Sequence, residues 1–245
     1  MHLLPSLFFD TKRVRKVRET VQKPWSKEEI WAFYALRPFS IYVSDIIVRK
    51  TALTPNALTI SGILFGLAST GFYMSGTHVG IFLGFLFYQL CYFFDCVDGE
   101  VARMRQLTSK GGMWLDIGLN YSQALSTFGV VYGLFRSFSP VVTPLLLFVT
   151  LSSILTNILA SEGAISVFGN SASDATFAMR KRTKVIDITV FLLFTETGFQ
   201  FGLFLTALIW SMAGLDVFIL GWTLFHILTL VGKSIFKIRL NMKNM

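Results

Sequence analysis

Two short stretches of an otherwise apolar chain hold residues able to do chemistry. Asp95 and Asp98 stand three apart, and Asp116 and Asn120 four apart; on a helix, either spacing puts both side chains on one face. An ionisable group inside a membrane-length apolar segment is costly unless it faces a polar cavity or a metal. The loop between the two stretches is short, so their helices are expected to be antiparallel neighbours. The pairs then meet as three carboxylates and one amide just inside one membrane face. Such a cluster cannot stay ionised and unpaired in a low dielectric, and crowded hard oxygen ligands are what Mg²⁺, Mn²⁺ or Ca²⁺ require. Gly99 and Ala102 leave a groove on the carboxylate helix for a flat or bulky ligand, and Arg103 at its end offers a fork of donors suited to phosphate. The bland alternative is a salt-bridged polar seam between helices, which has no need of Gly and Ala at these spacings.

The elements that must position these residues follow from composition. Of 245 residues, 53% are hydrophobic and 15% charged, with a mean hydropathy of +0.60, whereas an ordinary soluble domain is roughly 25% charged. Twenty-five Phe and five Trp residues suit a lipid-facing surface with an aromatic belt. The two cysteines, Cys91 and Cys96, match no disulfide framework or zinc spacing and are read as packing residues. Six apolar segments reach spanning length, about 20 residues for a hydrocarbon core of roughly 30 Å: 57–75, 79–103, 112–135, 143–161, 184–212 and 216–236. The expected fold is an all-α polytopic membrane protein, six transmembrane helices preceded by N-terminal interfacial amphipathic helices. A cytosolic or interfacial segment over 1–56 then leads into a six-helix domain over 57–240.

No cleavable signal peptide is visible, because the apolar start runs into the basic residues Lys12, Arg13, Arg15, Lys16 and Arg18. Pro24 closes this first segment. A second helix to about Lys50 is announced by Ser26 and Glu29 as a capping box, with Trp25 and Ile30 placed as a hydrophobic staple. With six spans, every Lys and Arg except Arg136 falls on the same side of the membrane as the N-terminus, so both termini are expected in the cytosol. Orientation and contact with membrane lipids account for the net charge of +8; no nucleic-acid partner is expected. The pairs Gly62 and Gly66, Gly80 and Gly84, Gly129 and Gly133, and Gly198 and Gly202 have the spacing that lets helices approach closely, read as packing within the bundle. His226 is expected to be satisfied by an interhelical hydrogen bond, and Asp187 and Glu196 to face the cavity.

From Asp95 to Asn120 the chain closely resembles the signature of the CDP-alcohol phosphotransferase (CDP-alcohol phosphatidyltransferase) family, D-x2-D-G-x2-A-R-x8-G-x3-D-x3-D. Asp95, Asp98, Gly99, Ala102, Arg103, Gly112 and Asp116 fill seven of its eight positions. The resemblance covers about residues 37–240. Arg37-Pro38-Phe39-Ser40, Thr54-Pro55-Asn56 with Leu58-Thr59, and Thr108-Ser109-Lys110 lean toward the branch making di-myo-inositol-phosphate-type compounds or phosphatidylinositol phosphate.

The resemblance implies transfer of a phospho-alcohol group from a CDP-linked donor, lipid-linked or soluble, to a plain or phosphorylated alcohol acceptor, with release of CMP. It implies two Mg²⁺ or Mn²⁺ ions ligated by Asp95, Asp98, Asp116 and the residue at 120. Asp95, Asp98, Gly99, Ala102, Arg103 and Thr108 would hold the nucleotide. Arg180, Lys181, Arg182 and Lys184 stand where the family's acceptor site lies, and equally suit topology and headgroup contact. A homodimer in the cytoplasmic membrane is expected, with the active site on the cytosolic side. The eighth motif position, a metal ligand and general base in the family, is Asn120 here. An amide cannot accept a proton at neutral pH. The chain is therefore an enzyme inactivated by substitution, a slower enzyme with another base, or a non-catalytic relative. From a different class, an intramembrane divalent-metal transporter would use the same carboxylates. Glu100 is the next candidate base, although helical geometry turns it away from the Asp95 and Asp98 face.

Overall fold

The computed structural model describes residues 4–5, 7–8, 10–23, 28–107, 110–135, 144–155, 196–208 and 215–243. All regular structure among them is helical: α1 (Lys12–Val21), a π-helical turn (Ala32–Leu36), α2 (Arg37–Lys50), α3 (Pro55–Met74), α4 (His78–Arg105), α5 (Lys110–Phe135), α6 (Pro144–Leu155), α7 (Glu196–Leu208) and α8 (Leu215–Lys243). Of these, α3 and α4 are long and apolar enough to cross a membrane. The chain divides into two compact units, residues 1–66 with 89–123, and residues 67–88 with 124–245.

In the first unit, Thr11 caps α1 by accepting the Val14 N–H at 3.3 Å. Val14, Arg18 and Val21, spaced i, i+4 and i+7, form the buried face, and the Val residues pack on Ile41. A buried guanidinium must satisfy five N–H donors, and Arg18 satisfies all of them. Its Nε and one Nη2 proton grip the two Asp10 carboxylate oxygens at 2.7 and 3.0 Å. The remaining donors reach Gln22 Oε1 and the Arg37 and Pro38 carbonyls at 2.7–3.0 Å. The Tyr42 hydroxyl also donates to Asp10.

The helix expected to run unbroken to Lys50 begins instead with a π turn, in which the Arg37 N–H bonds the Ala32 carbonyl. Pro38 follows at once; its ring would clash with the carbonyl four residues back in a regular α-helix, and the wider turn makes room. Ser26 and Trp25, the expected cap and staple, lie outside the described residues. Helix α2 buries polar and apolar residues side by side. Arg37, Ser40 and Ser44 are inward with Pro38, Ile41 and Ile47, while Phe39, Val43 and Ile46 are 54%, 37% and 49% exposed. Arg105 ties its end to α4, donating to the Leu53, Thr51 and Ile47 carbonyls at 2.5, 2.8 and 3.2 Å.

Helix α3 starts on Thr54, whose hydroxyl accepts the Ala57 N–H at 3.2 Å, with Pro55 at the first helical position, where its missing N–H costs nothing. A Cβ on Gly62 would stand 2.8 Å from Leu119 Cδ1, and one on Gly66 2.9 Å from Ser122 Cβ and 3.2 Å from Cys91 Sγ. These glycines seat α3 directly against α4 and α5. Cys91 and Cys96 are buried free thiols in the same region. Helix α4 stops in a Schellman turn: Leu107 N–H bonds Ala102 O at 2.9 Å, Gln106 N–H bonds Arg103 O at 3.3 Å, and Gln106 takes the left-handed φ of 55°.

In the second unit, Gly129 and Gly84 play the same part, with Thr70 O at 2.6 Å and the Tyr73 ring at 2.7 Å. Tyr73, Ile81, Val130, Phe199 and Leu203 make its core. Gly202 meets the Trp222 indole, whose Nε1 donates to Phe199 O at 3.3 Å. His226 departs from expectation. Its Nε2 has no hydrogen-bond partner among the described residues, and the ring stacks on Phe199 at 4.0 Å and 4° instead. Parallel aromatic contact over a large apolar area holds this imidazole in place. Glu196 opens α7, while Asp187 lies outside the described residues.

Gly66→Leu should therefore lower stability by about 1–3 kcal/mol through overpacking, read as a loss in detergent unfolding midpoint. Gly71→Leu, with nothing within 4 Å of its Cβ position, should leave the midpoint unchanged. A second expectation concerns acid. Burial would raise the Asp10 pKa, but hydrogen bonds from Arg18, Tyr42 and the Leu7 N–H, and the Arg18 charge, hold it below the ordinary carboxylate value. A carboxylate depressed on folding contributes stability that is complete above its unfolded pKa of about 4 and is lost as pH falls through the folded value. The thermal midpoint should drop below about pH 4, and Asp10→Asn should start lower at pH 6 and lack that part of the drop.

Candidate functional site

Within the first unit, α3, α4 and α5 line one open cavity of about 320 Å³. Pro55, Asn56 and Thr59 come from the first turns of α3, Asp98, Gly99 and Ala102 from the last turns of α4, Leu107 from the Schellman turn, and Gly112, Met113 and Asp116 from the start of α5. The close approach at Gly62 and Gly66 brings Thr59 to Asp98: its hydroxyl stands 2.6 Å from Asp98 Oδ2 and 3.0 Å from the Pro55 carbonyl. One hydroxyl proton serves one acceptor at a time, and the shorter, charge-assisted contact to the carboxylate is the stronger.

Asp98 is buried, Asp95 half-buried, and Asp116 exposed. Of the motif residues singled out from sequence, the cavity brings together Asp98, Gly99, Ala102, Gly112 and Asp116. Asp95, Arg103 and Asn120 are not part of its lining, and Asn120 is exposed one turn beyond Asp116. Thr108, Arg180, Lys181, Arg182 and Lys184 lie outside the described residues. Among the described residues, no three His, Cys, Asp or Glu side chains gather closely enough to hold a metal ion. Asp95, Asp98 and Asp116 nevertheless repel one another electrostatically, and no ion pair among the described residues neutralises any of them. Hard oxygen donors crowded together are chemically suited to a divalent cation.

Glu100 does face away from the aspartates. It is fully buried, and its Oε1 accepts from Gln22 Nε2, Ser40 Oγ and Arg37 Nη1 at 2.7, 2.7 and 3.2 Å. Its Oε2 accepts from Ser44 Oγ at 2.7 Å. A carboxylate with four donors is an acceptor held in place, not a free base. Arg103 donates its Nε to the Val21 carbonyl at 2.5 Å, and its Nη atoms lie over Gly99.

Sequence reasoning named Asn56 and Thr59 only as part of a branch motif, not of the site, and missed the apolar walls Leu107 and Met113. The available signal was the helix start Thr54-Pro55-Asn56, with Thr59 one turn on from Pro55.

Residues 52–229 match the family model for CDP-alcohol phosphatidyltransferase. The chain belongs to that family. It is 29% identical over 199 residues to the Bifunctional IPC transferase and DIPP synthase of Thermococcus kodakarensis, an alignment covering 80% of this chain and 44% of the relative. It is also 34% identical over 86 residues to Inner membrane protein YnjF of Escherichia coli, covering 35% of this chain and 40% of that protein. The chain thus spans less than half the length of these curated relatives. A CDP-alcohol phosphatidyltransferase domain with two helices apolar enough to cross a bilayer is an integral membrane protein.

Thr59→Val keeps the shape of the side chain and removes the donor to Asp98. It should cost about 1.5–3 kcal/mol, the usual worth of a hydrogen bond to a charged group, while Thr59→Ser retains most of it; chemical denaturation of the three proteins in one detergent measures this.

Proposed function

We propose that this chain transfers a phospho-alcohol group from a CDP-linked donor to an acceptor hydroxyl, releasing CMP, in the cavity between α3, α4 and α5. The observation that carries the reading is the meeting of Asp98 and Asp116 with Gly99 and Ala102 on one cavity within a CDP-alcohol phosphatidyltransferase domain. The name of the Thermococcus relative supports a transferase reading and agrees with the branch toward which the sequence motifs lean.

Asp98 and Asp116, with Asp95 most of a turn before Asp98 on α4, would hold two Mg²⁺ or Mn²⁺ ions. When bound, such ions neutralise charge developing on the leaving phosphate. Gly99 and Ala102, which leave the α4 surface low, admit the cytidine, and the donors of Arg103 meet a phosphate. Thr59 keeps the Asp98 carboxylate from rotating away from the cavity. Asn120 cannot take the acceptor proton, and Glu100 is saturated with donors, so the chain as it stands turns over slowly. Arg180, Lys181, Arg182 and Lys184 receive an anionic acceptor.

Six spans with both termini and the site at the cytosolic face, within a homodimer, complete the reading. The exposed stripe Phe39, Val43 and Ile46 suits α2 lying in the interface.

In nanodiscs with Mg²⁺, CMP release from CDP-alcohols should be slow for the unaltered chain and absent for Asp98→Ala. Asn120→Asp should raise kcat by about 10²–10⁴, the usual worth of a positioned base, with little change in donor affinity. A full-speed parent, or an Asn120→Asp protein no faster than it, would remove Asn120 from the account. Divalent-ion flux without CMP release would replace transfer with transport.

A further inference from the structure

The last turn of α1 reaches the two charged residues that flank the glycine of the site. Arg103 gives its Nε proton to the Val21 carbonyl. Its Nη1 and Nη2 then stand 3.2 and 3.4 Å from where a Cβ on Gly99 would lie, so the guanidinium plane folds over that glycine. The next residue, Gln22, is buried. It donates to Glu100 Oε1 at 2.7 Å and to the Arg37 carbonyl at 2.8 Å, and accepts from Arg18 Nη1 at 3.0 Å. Lys23, the residue after that, adds positive field at Asp95 and Asp116. Behind the turn, Arg18 has no spare donor and pins α1 to Asp10 and to the start of α2. Arg18, Val21, Gln22 and Lys23 all precede 52–229, the stretch the family model matches.

A guanidinium is planar and rigid, so fixing its Nε direction also fixes where the two terminal nitrogens point. We propose that the C-terminal turn of α1 is a positioning element of the transfer site: by holding Arg103 Nε on the Val21 carbonyl and Glu100 on Gln22, it presents Nη1 and Nη2 over Gly99 as the pair that meets the donor phosphate. This rests on the transfer reading above. Glu100 and Gln22 act through Arg103 and α4 and touch no substrate. Arg103 is otherwise an exposed, long side chain whose rotamer freedom would have to be lost each time a donor binds.

Coupling of this kind is reciprocal, which allows a test on the unaltered full chain. Amide hydrogen exchange is followed in nanodiscs with Mg²⁺, with and without saturating CMP, and CMP binding is measured by calorimetry in the same preparation. Exchange at residues 18–23 should slow about fivefold or more on CMP binding, the lower range of ordinary coupling. Unchanged exchange there, with CMP bound, would overturn the proposal. Absence of both CMP binding and CMP release would instead sink the transfer reading and this inference with it. Gln22→Met keeps the packing and removes both side-chain donations. It should raise KM for the CDP-alcohol about fivefold or more with a smaller change in kcat. A Gln22→Met protein that is less heat-stable yet keeps the parental KM would show that the turn is only structural.

Discussion

The buried Glu100 carboxylate is the constraint around which the first unit is arranged. A charge taken out of water is tolerated only when surrounded by donors, and Glu100 finds them in Gln22, Arg37, Ser40 and Ser44, all contributed by the N-terminal segment. That requirement explains why α2 turns its polar residues inward. It also fixes the rotation of α4 about its axis, and with it the direction in which Asp98, two residues away, must point. The neighbouring arginines are held by the same logic: Arg37 bridges Glu28 and Glu100, and Arg105 is spent on the carbonyls that end α2.

The other side of α4 obeys the opposite rule. Asp95, Asp98 and Asp116 repel one another and lack ion-pair partners among the described residues. One face of α4 therefore carries a carboxylate saturated with donors, while the other carries Asp95 and Asp98, which face the charge of Asp116 on α5. The first is a fixed part of the scaffold; the second is where like charges crowd together. Close glycine contacts at Gly62 and Gly66 make the arrangement affordable by keeping α3, with its Thr59 donor, within reach of Asp98.

Much of this was legible in the residues from Asp95 to Asp116, because helical spacing and a short connection are local properties. The pairing of α4 with α5 and the shared cavity follow from them. Thr59 was not legible as a site residue, since its place depends on how deeply two glycines let α3 settle. Glu100 could be turned away from the aspartates by helical geometry, but nothing local says what it meets, because its donors lie 56–78 residues earlier. The π turn escaped because Pro38 was read within a motif and not as a break. His226 escaped because a ring can be held by stacking without a hydrogen bond, which spacing does not reveal.

The polar side of α2 bears on the order of assembly. Its inward face carries Ser40 and Ser44, which donate to Glu100, beside Ile41 and Ile47, while Phe39, Val43 and Ile46 point outward. In synthesis from the N-terminus, roughly fifty residues after α2 must leave the ribosome before that carboxylate appears, so α2 is made well before the acceptor of Ser40 and Ser44. Until then these two side chains lack the helix that completes their bonding.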